Sequence, residues 1–138
     1  MSDQKELYSA LMAAAVAARE YSYSPYSGYR VGAALLGKDG RVYTGCNVEN
    51  AGYTPTNCAE RTAVFKAISE GMREFSAIAV AGGSGDTLDV ACTPCGVCRQ
   101  VLAEFCSPDM PVILGTPEKL RILTLGDLLP FAFTSQNL

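Results

Sequence analysis

The sequence predicts an α/β fold, a three-layer α/β/α sandwich on a single mixed five-stranded sheet. Two observations lead there. Helical and strand-like segments follow one another as helix, hairpin, helix, strand, helix, strand, strand, with no internal repeat. The 138 residues also suit one domain spanning 1–138, because a chain near that size buries roughly 68 to 70% of its unfolded surface.

Leu7, Leu11, Ala14, Ala15 and Ala18 recur at helical spacing, so residues 4 to 20 read as an amphipathic helix with Asp3 and Glu6 as a capping box. After a polar turn, Tyr29 to Leu36 and Arg41 to Val48 read as a hairpin joined by Lys38-Asp39-Gly40. A loop with Gly52 and Pro55 leads to a helix from Cys58 to Glu70, stopped by Gly71. Ala77 to Ala81 is a short strand, and Gly82-Gly83-Ser84-Gly85-Asp86 reads as a flexible connection. Thr93 as cap and Pro94 at the first helical position begin a helix running to Phe105. Pro111 to Leu114 and Leu120 to Leu123 are two further strands, and Gly126 to Leu129 a short helix.

A net charge of −3 with no basic cluster argues against a nucleic-acid partner. No apolar run approaches the roughly 20 residues of a membrane span. The first residues, Met1 to Glu6, are polar and show no leader pattern, so a soluble cytoplasmic protein is expected. The six cysteines come with no export signal, which favours metal or redox chemistry over a disulfide framework. The chain has no histidine. Any zinc site must therefore use cysteine and carboxylate, and any general base must be something other than imidazole.

Cys58-Ala59-Glu60 and Pro94-Cys95-Gly96-Val97-Cys98 each open a helix, following the caps Asn57 and Thr93. A helix N-terminus favours thiolate over thiol, and thiolate is the metal-binding form. Cys58, Cys95 and Cys98 would make a tetrahedral zinc site with one open position, the mark of a catalytic zinc. The pair Cys95 and Cys98 alone fits a structural zinc knuckle or a redox pair equally well. A closed site would need a fourth ligand from Cys46, Cys92 or Cys106, which otherwise read as ordinary packed thiols. Glu60 sits about 200° around an ideal helix from Cys58, so both face the metal only if Cys58 projects from the first turn.

These segments resemble the cytidine deaminase family. The likeness rests on Tyr26-Ser27-Gly28-Tyr29-Arg30-Val31-Gly32-Ala33-Ala34, Asn47-Val48-Glu49-Asn50, Cys58-Ala59-Glu60-Arg61 and Pro94-Cys95-Gly96-Val97-Cys98-Arg99-Gln100. It implies one Zn²⁺ per chain on Cys58, Cys95 and Cys98, and hydrolytic deamination of cytidine and 2'-deoxycytidine in cytoplasmic pyrimidine salvage. Zinc-activated hydroxide would attack C4, with Glu60 as proton carrier. Arg61 would offset the thiolate charge, and Asn47, Glu49, Tyr29, Ala59 and Phe133 would bind substrate. Asn47 and Glu49 would take the ribose 3'-hydroxyl. Phe133 would reach a neighbouring subunit of a homotetramer.

Tyr29 stands where family members commonly have phenylalanine, and Phe131 where glycine is usual. Two competing readings are an enzyme resembling blasticidin-S deaminase and a non-catalytic zinc or thiol module. Asn47-Val48-Glu49-Asn50 argues against the first and Glu60 against the second.

Overall fold

The structure is a computed structural model that describes residues 2–138. In chain order the elements are α1 (Ser2–Ala18), β1 (Tyr29–Gly37), β2 (Val42–Cys46), α2 (Ala59–Ser69), β3 (Phe75–Ser84), α3 (Gly96–Phe105), β4 (Pro111–Thr116), β5 (Lys119–Thr124) and α4 (Leu125–Leu128). The five strands form one sheet in the order β2-β1-β3-β4-β5. Of the strand pairs, β3 and β4 run parallel. The other pairings are antiparallel, so the sheet is mixed.

Period-two alternation sorts the strands' apolar side chains into two cores. Ala34, Leu36, Ala77, Ala79 and Ile113 pack with Tyr8, Leu11, Met12 and Ala15 of α1. Ala33, Leu35, Ile78, Val80 and Val112 pack on the opposite face with Ala63, Val64 and Ala67 of α2 and Leu102 of α3. The three layers are thus α1, the sheet, and α2 with α3.

Two glycines set how closely the helices approach. A Cβ on Gly32 would lie 2.0 Å from the Ala15 carbonyl oxygen, and one on Gly45 would lie 2.5 Å from that of Ala59. Each helix therefore rests on bare strand backbone. The Gly45 contact presses the first turn of α2, and with it Cys58 and Glu60, onto β2.

Four local readings change. Asp3 lies inside the first turn of α1 and is not its cap. The hairpin's second strand ends at Cys46, although Val48 still bridges to Tyr23 and Asn57. The caps of α2 and α3 are Cys58 and Cys95 themselves, with Asn57, Thr93 and Pro94 outside the helices. The connection read as flexible is ordered: Gly82, Gly83 and Ser84 continue β3 and pair with Val31, Arg30 and Tyr29.

The reason for that order is Arg19, buried just after α1. Its guanidinium donates to the carbonyls of Arg30 (2.9 Å), Gly83 (3.0 Å), Gly85 (2.6 Å) and Thr87 (2.5 Å). One side chain thereby satisfies the carbonyls of a turn that would otherwise be loose.

Gly32→Ala is expected to lower the urea midpoint, with overpacking costing about 1–3 kcal/mol. An unchanged midpoint would mean that α1 is free to lift from the sheet.

Candidate active site

Cys58 precedes α2 with an extended backbone (φ −78°, ψ 157°), and Cys95 precedes α3 in the same way (φ −68°, ψ 168°). An extended N-cap residue does not follow the helical angle. That resolves the 200° conflict: Cys58 projects from before the helix and Glu60 from its first turn. Cys98 follows in the first turn of α3, where its backbone N–H donates to the Cys95 sulfur at 3.5 Å.

The sulfurs of Cys58, Cys95 and Cys98 all lie within 4.8 Å of one another, and those of Cys58 and Cys95 are 3.7 Å apart. No other cysteine, aspartate or glutamate among the described residues joins the cluster. Cys46, Cys92 and Cys106 lie outside it as free thiols. Burial pushes Cys92 up to about 11 and Cys106 up to about 12, so both stay protonated at neutral pH.

The Cys58 thiol is drawn down to about 5, first by a hydrogen bond from Cys98 and then by Arg61 and Cys95, against its own desolvation. The same pairing drives Cys98 upward. Arg61 Nη2 donates to the Cys58 sulfur at 3.4 Å. Its Nε is buried with no partner among the described residues. Three converging sulfurs, one already inclined to thiolate and capped by a cation, fit a tetrahedral zinc with one open position.

Glu60 is 4% exposed and shares a cleft of about 270 Å³ with Cys58, Ala59 and Cys95. Desolvation is the main reason its carboxyl is pushed up to about 7, with Cys58 adding to the rise and its own backbone N–H and Arg61 opposing it. Tyr29, Asn47 and Glu49 line the same cleft, together with Ser27, Val31, Thr56, Asn57, Cys92 and Thr93. Of the expected contacts, Phe133 alone is elsewhere. It is 59% exposed, and its carbonyl accepts from Gln100 Nε2 at 2.8 Å.

Asn47 and Glu49 have most of their hydrogen-bonding capacity committed. The Asn47 Oδ1 accepts from Val31 N (2.9 Å) and from the Ser22 hydroxyl, while Nδ2 donates to the Tyr29 carbonyl (2.8 Å). One N–H of that amide is left over. Glu49 accepts from the backbone N–H groups of Tyr26 (2.9 Å) and Ser27 (3.1 Å) and from the Ser27 hydroxyl, which chiefly holds its carboxyl below the usual range.

Sequence reading missed Ser27, Val31, Thr56, Asn57, Cys92 and Thr93 as lining residues. Val31 could have been found, since period-two alternation sets it on the same face of β1 as Tyr29. Arg99 donates to the carbonyls of Pro94 (2.7 Å) and Leu128 (2.6 Å), tying α3 to the end of α4.

Residues 5–114 match the model of the cytidine and deoxycytidylate deaminase zinc-binding region. The chain belongs to this family. It is an enzyme, a zinc-dependent hydrolase of the cytidine deaminase type, and the three-cysteine cluster fits one zinc per chain. A cytidine deaminase of Sporosarcina psychrophila is 50% identical over 129 residues, covering 93% of this chain and 92% of that protein. A solved cytidine deaminase from Burkholderia pseudomallei superposes with a TM-score of 0.83 at 51% identity, covering 90% of this chain and 97% of that one. A blasticidin-S deaminase of Bacillus cereus is 32% identical over 110 residues, covering 77% of this chain and 78% of that protein.

Loss of the Arg61 cation should weaken zinc affinity by about 10–100-fold, the usual effect of removing a group that supports a metal ligand. The measurement is competition of Arg61→Gln against a chromogenic chelator. Unaltered affinity would show that the guanidinium does not serve the thiolates.

Proposed function

We propose that this deaminase hydrolyses the 4-amino group of cytidine and 2'-deoxycytidine, giving uridine or 2'-deoxyuridine and ammonia. It does so as a single domain over 1–138, in cytoplasmic pyrimidine salvage. The observation that carries the reading is the placement of Glu60, buried beside the three-sulfur cluster and opening onto the cleft that Asn47 and Glu49 line.

Cys58, Cys95 and Cys98 hold the zinc, which when bound supplies Lewis acidity able to bring the pKa of a water from 15.7 to about 7. Glu60 takes a proton from the water that adds at C4 and delivers it to the ring nitrogen N3. It then carries the second water proton to the departing amine, which leaves as ammonia. General acid–base help of this kind typically contributes about 10²–10⁴ in rate. A buried carboxyl with no side-chain partner among the described residues is free to shuttle in this way, where a salt-bridged one would be held ionised.

The remaining N–H of Asn47 and a free lone pair of Glu49 take the ribose 3'-hydroxyl. The Glu49 carboxylate also repels a 5'-phosphate, favouring nucleoside over nucleotide. Tyr29 places its ring against the pyrimidine, and Ala59 lines the cleft between Cys58 and Glu60. The protein works as a homotetramer in which Phe133 completes a neighbouring subunit's site. In support, Phe133 and Phe131 are exposed, and Phe131 adopts a positive φ of 54°, a conformation uncommon outside glycine. A blasticidin-S-directed activity is disfavoured by the lower identity to that relative, 32% against 50% for the nucleoside enzyme.

The test is turnover of cytidine, 2'-deoxycytidine, cytosine, CMP and blasticidin S by purified protein of known zinc content. Conversion of the two nucleosides alone is expected, and turnover of blasticidin S alone would replace the reading. Glu60→Ala is expected to retain its zinc and lose at least about 10²–10⁴ in kcat. Loss of the metal with the activity would refute a separate role for Glu60.

A further inference from the structure

The cleft's aromatic wall has an anchor that the zinc chemistry does not use. Tyr29 is the first residue of β1, and its hydroxyl donates to Asp89 Oδ2 at 2.7 Å. A hydrogen bond to an ionised carboxylate is roughly twice as strong as a neutral one. The ring is confined beside it as well. A Cβ on Gly82 would meet Cys92 Sγ at 2.6 Å and Tyr29 Cε2 at 3.3 Å, so the ring and the thiol pack on bare backbone of β3.

Asp89 is exposed, yet its backbone is not loose. Its N–H donates to the Gly82 carbonyl at 2.8 Å, and Gly85 N–H donates to the Gly28 carbonyl at 3.1 Å, one residue before Tyr29. Arg19 holds the carbonyls of Gly83, Gly85 and Thr87, and Arg30 pairs with Asp86 at 3.2 Å. The carboxylate is therefore presented from a turn fastened to α1, β1 and β3. Six residues later the same segment delivers Cys95 to the metal cluster.

We propose that Asp89 is a positioning residue, which fixes the Tyr29 ring as the wall against which the pyrimidine is held. This rests on the reading of the cleft as a nucleoside site. A phenylalanine in this place would need no such partner, whereas a phenol at a cleft wall turns toward whatever acceptor is offered, including the ligand or its water. Asp89, which does not itself line the cleft, supplies that acceptor. It acts on substrate placement and leaves the zinc ligands and Glu60 untouched.

Asp89→Ala is expected to raise KM for cytidine roughly 5- to 30-fold, the loss of one charge-assisted hydrogen bond. The change in kcat should stay within about twofold and zinc content should not change. Asp89→Asn, whose amide oxygen still accepts from the hydroxyl, should recover most of the loss. In a Tyr29→Phe background, whatever its own KM, removing Asp89 should add nothing, because no hydroxyl remains to be held. Should Asp89→Ala fail to fold, Asp89→Ser carries the same comparison, being polar but too short to reach the phenol.

An unchanged KM in Asp89→Ala would overturn the proposal. So would an equal KM increase on removing Asp89 from the wild type and from Tyr29→Phe, which would reveal a purely structural role for the turn. Wild-type turnover separates the two claims. Without it the nucleoside reading itself falls, and with it an unchanged KM removes only the role given to Asp89.

Discussion

Three sulfurs within 4.8 Å of one another are the constraint on which the rest of the structure depends. As thiolates they bring a charge of −3 against +2 from zinc, and their crowding is unfavourable without further compensation. The fold supplies it from two directions. The N-termini of α2 and α3 both open at the cluster, where unpaired N–H groups and the positive ends of two helix dipoles face the sulfurs. Arg61 adds a full charge at 3.4 Å from the Cys58 sulfur. Because Cys95 is itself the cap of α3, accepting from Cys98 N–H, the sulfur cluster and the helix start share one interaction.

Bringing two helix starts to one place requires the layers to approach closely. Gly45 lets α2 lie on β2 backbone, and Gly32 lets α1 do the same on β1. The parallel β3–β4 pair forces a crossover, and α3 is that crossover, so its N-terminus emerges at the end of β3. The cleft lies at the C-terminal end of β3 and the N-terminal end of its antiparallel neighbour β1. This places Tyr29, Cys58 and Cys95 around one cleft.

What the sequence disclosed divides along a physical line. Strand alternation and the hairpin at Lys38-Asp39-Gly40 follow from local spacing, whereas the gathering of Cys58, Cys95, Cys98 and Glu60 is implied by the family resemblance, and the structure has them all. The errors arise where a distant side chain overrides local propensity. Gly82-Gly83-Ser84-Gly85-Asp86 has the composition of a loose loop, but Arg19, more than sixty residues earlier, takes three carbonyls of the segment around it. Asp89 as partner of Tyr29 is also a long-range pairing, sixty residues apart, with no local signature. Asn57 and Thr93 outrank cysteine as caps by propensity, so local preference points one or two residues too early. At α3 the Cys95 sulfur takes the cap's place by accepting the Cys98 N–H, whereas Cys58 begins α2 with no side-chain cap bond.

The committed hydrogen bonds of Asn47 and Glu49 bear on how such a cleft selects a ligand. Once the backbone of β1, Ser22 and the turn at Tyr26 and Ser27 are served, Asn47 can only donate, and Glu49 has a lone pair left with which it can only accept. A hydroxyl both donates and accepts, so one placed between them satisfies both residues. A phosphate oxygen satisfies only the amide and meets the carboxylate as a like charge, and a free base without a sugar leaves both unmet. Because the internal bonds hold each side chain in place before any ligand arrives, little rotamer entropy is lost on binding. In the proposed nucleoside reading, selection for a sugar hydroxyl would rest on the same contacts that stabilise the Tyr26–Tyr29 turn.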